Sequence, residues 1–222
     1  SSSIGNTNML SDYAAIKNGS YGKLMKAYYA KQDAEKLSGK GDTSQKLTLM
    51  KTSADSLKKS ADALNDSSLW EKKKIKKKDE KTGEEIAVED YDWDKITKAV
   101  KSFVEDYNDV VREAGESNTK DVLRNASWMT GMTDKNSNML AKIGITIGKG
   151  NKLELDEGAL KQADISSLKT IFTGYNSFVS KISQKATGIS NAANRASATY
   201  TNNGTYSKTD SSLTSSKIDK EV

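Results

Sequence analysis

The chain has no proline, no cysteine and no histidine. At an average usage of about 5%, roughly eleven prolines would be expected in a sequence this long, so the residue that most effectively breaks helices is missing and helices can run on. Without cysteine there are no disulfides and no thiolate nucleophiles, and stability must come from packing. Its absence does not fix the compartment. Without histidine there is no imidazole base near neutral pH, and the two absences together exclude Cys/His zinc sites and Ser-His-Asp triads. No apolar run approaches the 18 residues of a membrane span, and Ser1-Ser2-Ser3-Ile4-Gly5 has no signal-peptide core. A first residue of Ser rather than Met fits a fragment whose targeting signals lie elsewhere.

The nucleophile arrangement left is Ser with Lys. Ser56 with Lys59, Ser117 with Lys120 and Ser166 with Lys169 each match S-x-x-K, as chance gives in a chain rich in both residues, and no Ser-Asp-Asn or Lys-Thr-Gly companion is present. The expectation is a protein that is not an enzyme, with no catalytic residues, cofactor or small-molecule substrate.

What is present is lean for a compact globule, at 35% hydrophobic and 29% charged residues. That balance suits a mainly α, elongated antiparallel bundle or coiled coil, with narrow apolar seams and much wet surface. A net charge of +5, from 35 basic and 30 acidic residues, is too small to imply nucleic acid.

The organising stretch is Ile165 to Tyr200, where Leu168, Ile171, Phe172, Tyr175, Phe178, Val179, Ile182, Ala186, Ile189, Ala193 and Ala196 recur three and four residues apart. The spacing predicts one long helix with an apolar face in need of partners. A second seam runs from about Ser44 to Leu64, with Leu47, Met50, Ala54, Leu57, Ala61 and Leu64 in heptad steps. An earlier helix is predicted from Met9 to about Leu37, carrying Leu10, Tyr13, Leu24, Ala27 and Tyr28. The residues expected to bind a partner along the seams are Leu47, Met50, Leu57, Leu64, Leu168, Phe172, Tyr175, Phe178, Ile182 and Ile189, through self-association or contact with another protein.

Between the seams lies a basic run, Lys72, Lys73, Lys74, Lys76, Lys77, Lys78 and Lys81, answered by Glu84, Glu85, Glu89, Asp90, Asp92 and Asp94. It reads as a hairpin turning through Asp79 to Glu84, with Gly83 at positive φ, Ile75 sharing a face with Ile86 and Val88, and Lys lying across from Glu. A solvated hairpin neutralised by its own return strand is the plainer reading. The alternative is a patch for anionic surfaces or polymers through Lys73, Lys74, Lys76 and Lys77. Nucleic acid is not favoured, because no Arg and few aromatics are interleaved.

Asp90-Tyr91-Asp92-Trp93-Asp94 opens the next helix, striped by Trp93, Ile96, Val100, Phe103, Tyr107, Val110, Val111 and Ala114. The acidic spacing resembles a calcium loop, but Lys95 and Lys101 stand where Gly and the bidentate Glu are needed, so no metal is expected. A further helix spans about Thr119 to Ile143, open to a break near Gly131, with Trp128, Met129 and Met132 read as core. Gly144 ends it. A second hairpin follows, Ile145 and Ile147 returning as Leu153 and Leu155, and Asp156 caps a short helix to Ala163. Asn202-Asn203-Gly204 predicts a turn before a loosely packed tail anchored by Tyr206, Leu213 and Ile218. The expected divisions are 1–68 with 156–206 as the long-helix bundle, 69–155 as an inserted segment, and 207–222 as the tail.

Four pieces, Phe103-Val104-Glu105-Asp106-Tyr107-Asn108, Gly144-Ile145-Thr146-Ile147, Leu153-Glu154-Leu155-Asp156-Glu157 and Thr170-Ile171-Phe172, together resemble the C-terminal region of the flagellar filament-capping, hook-associated protein family. The resemblance covers roughly residues 100 to 175. It implies an exported, extracellular component of a bacterial surface appendage that assembles through long helices, with copies of itself or filament protein subunits as partners. A chain without Cys and Pro is compatible with threading unfolded through an export channel and refolding without proline-isomer delays.

Overall fold

The structure is a computed structural model that describes residues 41–215, with side chains through residue 199. The expected helix from Met9 to Leu37 lies outside the described residues, as do Ile218 and the side chains of Tyr206 and Leu213. The described chain is mainly α with two small antiparallel hairpins. In order it comprises α1 (Ser44–Leu64), a 3-10 turn (Ser67–Trp70), β1 (Lys73–Lys78), β2 (Glu85–Asp90), α2 (Trp93–Gly115), α3 (Lys120–Lys135), α4 (Ser137–Ala141), β3 (Ile145–Ile147), a second 3-10 turn (Lys149–Asn151), β4 (Leu153–Leu155), α5 (Glu157–Gln162), α6 (Ile165–Phe172) and α7 (Phe178–Ser215).

Helix α1 begins where Thr43 accepts a hydrogen bond from Lys46 N at 3.2 Å, and all six seam residues from Leu47 to Leu64 are buried. The seam closes against α7. Ser183 Oγ donates to Asp62 and Ser190 Oγ to Asp55, each at 2.6 Å, which fixes the two helices antiparallel. Lys58 and Lys51 grip the same carboxylates from one turn earlier on α1. A Lys-Asp-Ser unit is thus repeated at a seven-residue interval beside the apolar seam.

Burial pushes the Asp55 and Asp62 carboxyls up, but the bonds from Lys51 and Ser190, and from Lys58 and Ser183, outweigh it and leave both below the ordinary value. Groups with a depressed folded-state pKa lend stability that is complete above the unfolded value and is lost as pH falls through the folded one. The expected result is a denaturation midpoint that drops as pH falls below about 4, and drops less in a D55N/D62N double variant. Asp106 works in the opposite sense, since burial raises it despite the Ser60 hydrogen bond, with Asp109 and Glu105 adding to the rise. The comparison with the double variant isolates the α1–α7 pairs from it. A midpoint with the same acid dependence in both proteins would refute the assignment.

The far side of α7 meets α3, where the Lys185 ammonium stands 4.2 Å from the Trp128 ring centroid and Arg195 lies 3.8 Å from Asp121. The other flank of α1 packs on α2. At one end of this pair the Asp42 carboxylate accepts from Ser117 Oγ and Asn118 N at 2.8 Å and from Thr119 Oγ1 at 2.5 Å, tying the start of α1 to the α2–α3 turn. At the other end, Trp70 stacks on Phe172 with centroids 5.6 Å apart and sends its indole N–H to Leu64 O at 2.7 Å. Phe103 sits edge-on to both Phe172 and Phe178 at 6.3 Å, and one continuous core spans α1, α2, α3, α6 and α7.

Three expectations are corrected. The predicted single helix from Ile165 to Tyr200 is two helices, α6 and α7, separated at residues 173–177. Gly174 takes φ +101° and its N–H donates to Asn65 Oδ1 at 2.8 Å, while Ser177 Oγ accepts from Ser180 N at 3.2 Å and starts the next helix. A left-handed glycine followed by a serine cap is a stop and a start. The turn expected at Asn202-Asn203-Gly204 lies inside α7, which runs to Ser215, because Asn and Gly weaken a helix by up to about 1 kcal/mol each without forbidding it. The helix expected to reach Ile143 breaks at Asn136 instead of near Gly131, where the Asn136 side chain donates to Met132 O at 2.8 Å.

Candidate functional site

The residues expected to form partner-binding seams are placed by the fold itself. Leu47, Met50, Leu57, Leu64, Leu168, Phe172, Phe178, Ile182 and Ile189 are all buried in the chain's own core. The apolar stripe of α7 is met by the stripe of α1, so these side chains face neighbours in the same molecule. Tyr175 departs from the group. It is 83% exposed, in the loop that Gly174 opens between α6 and α7.

The lysine run forms the hairpin that its charge pattern predicts. Strands β1 and β2 pair antiparallel with Ile75 opposite Val88, Lys74 opposite Glu89 and Lys78 opposite Glu85, and Gly83 takes φ +72° in the loop. Strand alternation puts Ile75, Lys77, Ile86 and Val88 on one face and Lys74, Lys76 and Lys78 on the other. None of the twelve strand residues is buried, so the sheet stands out in solvent. Lys77 pairs with Asp90, whose carboxyl is held low first by that ammonium and then by the Tyr91 N–H. Lys76 reaches Glu85 only at 3.7 Å. Lys73, Lys74, Lys76 and Lys77 are all exposed.

At the foot of this hairpin, an open groove of about 370 Å³ lies between the end of α1 and the first turns of α2. Lys73, Lys95 and Lys98 border it, with Ser68, Ser102 and the Asp66 carboxylate. Asp66 is lowered by the Ser68 backbone and side chain, with Lys73 a smaller contributor. The groove lining leaves a positive excess, three Lys against one Asp.

The remaining sequence-level candidates have structural duties. Asp92 caps α2 by accepting from Lys95 N, whereas Asp90 serves the hairpin, so the acidic string that resembles a calcium loop is divided between two elements. Ser117, from one S-x-x-K match, is buried with its hydroxyl committed to Asp42. Among the described residues no group of three or more acidic side chains is arranged to hold a metal ion. Trp128, expected in the core with Met129 and Met132, is 41% exposed under Lys185, while Met129 is fully buried. Burial lowers the Lys185 pKa.

A residue that spacing arguments pass over is Asn108. Its amide donates to Leu153 O at 2.9 Å and accepts from Leu153 N at 2.7 Å, standing in for a neighbouring strand beside β4. Beside it, Tyr107 is fully buried with its hydroxyl donating to Thr133 Oγ1 at 2.8 Å, and burial pushes that phenol well above its usual range. An Asn following the last aromatic of a helical stripe was the available signal. Scans against protein-family models, curated proteins and solved structures find no match.

Proposed function

We propose that this chain is a non-enzymatic assembly component of a bacterial surface appendage, exported and extracellular, similar in kind to a filament cap. In this reading α1, α2 and α7 act as an elongated antiparallel bundle, and the exposed hairpin and the Tyr175 loop meet filament subunits or further copies of the chain. The observation that supports it is the mutual contact of the pieces that carry the family resemblance. Asn108 clamps Leu153, Gly144 O accepts from Asp156 N at 2.8 Å, and Phe103 abuts Phe172, so segments scattered over about seventy positions form one unit.

The test is sedimentation of the protein, alone and with cognate filament subunits. Concentration-dependent association, or co-sedimentation with subunits, is the expected result. A protein that stays monomeric and ignores the subunits would end the proposal. A second reading, a module for anionic polymers, draws on the four exposed lysines of the hairpin. It predicts steeply salt-dependent binding that reversing the charge of Lys73, Lys74, Lys76 and Lys77 abolishes; unchanged affinity disposes of it.

A further inference from the structure

The β1–β2 hairpin has two open edges, and its hydrogen-bond phase can be read from its loop. Asp79 N donates to Glu84 O at 2.8 Å, in the same register that pairs Lys78 with Glu85. Antiparallel pairs alternate between bonded and non-bonded. The backbone groups of Lys73, Ile75 and Lys77 therefore point into the hairpin, and those of Lys74, Lys76 and Lys78 point outward. The outward set shares one face, and neither Lys74 nor Lys78 forms an ion pair among the described residues.

A two-stranded sheet alone is marginally stable in water, and this one buries none of its strand residues. A third strand would supply the missing partners. Five of the six β1 residues are Lys, so the strand that suits this edge carries carboxylates at every second position, where they fall beside Lys74, Lys76 and Lys78.

A second copy fits less well. A two-fold pairing sets β1 against β1, lysine facing lysine, or β2 against β2, with Glu85, Glu89 and Asp90 opposed. Antiparallel pairing of β1 with a neighbour's β2 aims both hairpins the same way. The two helical bodies would then lie one hairpin width apart, about 10 Å, which is no more than the diameter of a single helix with its side chains, about 10–12 Å. Nucleic acid is disfavoured because neither strand has an aromatic residue or an Arg.

We infer that the open edge of β1 receives an extended acidic segment of a partner protein as a third strand, with alternate carboxylates beside Lys74, Lys76 and Lys78. The inference rests on the reading of this chain as a protein that works by holding partners, and it specifies the partner's chemistry. Binding is read on the isolated chain, so its failure is distinguishable from failure to associate with filament subunits.

The test uses the full chain and a fluorescein-labelled ten-residue peptide alternating Glu with Thr and Val. Expected are saturable binding, at least tenfold weaker in K74E/K76E/K78E, and at least tenfold slower amide exchange at Lys74, Lys76 and Lys78 with Lys73, Ile75 and Lys77 unchanged. A peptide N-methylated at its Glu residues keeps its charge but loses the donors that would face the β1 edge, and should not bind. Equal binding of the N-methylated peptide, or binding without protection of those three amides, overturns the inference in favour of diffuse charge attraction. Heparin competing without any amide protection points to a polyanion and also overturns it. Self-association that protects the same amides in the absence of peptide assigns the edge to a second copy instead.

Discussion

Phe103→Ala is expected to cost about 3–5 kcal/mol, the usual range for removing a buried aromatic ring. Typical domains are stable by about 5–15 kcal/mol, so this one truncation brings the protein close to unfolding. The ring is fully buried and touches the rings of Tyr107, Phe172 and Phe178, and so joins α2 to α6 and to the first turn of α7. Removing it unseats Phe172, which in turn is the stacking partner of Trp70. Urea unfolding followed by tryptophan fluorescence measures the loss. Tyr175→Ala, at a position 83% exposed, serves as the contrast and should leave the midpoint nearly unchanged. Similar small shifts for the two variants would mean that Phe103 is not the junction described here.

The second large effect is expected at Gly144. Its φ is +86°, and a Cβ there would stand 2.7 Å from Asp156 O, 3.0 Å from Leu160 N and 3.1 Å from Ala159 Cβ. Left-handed backbone costs an L residue about 1–3 kcal/mol when it is forced. The collision comes on top of that, and its nearest target is a backbone oxygen that cannot swing away. Gly83→Ala separates the two contributions, because Gly83 has φ +72° with nothing within 4 Å of the added carbon. Thermal melts should show Gly144→Ala destabilised well beyond Gly83→Ala. Equal shifts would assign the whole effect to backbone conformation.

Much of this architecture is legible from periodicity. Leu47 through Leu64 read as a helix with a buried seam, and the observed ends of α1 fall on Ser44 and Leu64. Both hairpins are visible as alternating runs around Gly83 and around Gly148 to Asn151, since two-residue alternation and turn residues reinforce each other. Helix ends are harder. The break after Phe172 turns on one glycine and one serine side chain, a local signal that the longer apolar period on either side overwhelms. The continuation of α7 through Gly204 fails in the other direction, because weak helix formers do not by themselves end a helix. Trp128 shows a further limit: a large aromatic on a helical stripe is read as core, yet the ring lies at the rim under Lys185. The hydrogen bonds that tie distant elements, Asp42 to the α2–α3 turn and Asn108 to β4, join residues 75 and 45 positions apart and leave no periodic trace. The candidate edge at β1 was visible as charge, whereas which lysines face outward follows only from the strand phase.

The pairing of Ser190 with Asp55 and of Ser183 with Asp62 spans 135 and 121 positions of sequence. A chain emerging from a ribosome with its amino end in front would hold α1 ready long before α7 arrives to cover it. Closure of the α1–α7 seam therefore waits until Ser183 and Ser190 have been made, and loops of that size are slow to close. In the interval the greasy side of α1 stays open to whatever is nearby, and the earlier helices stay pliable until α7 docks.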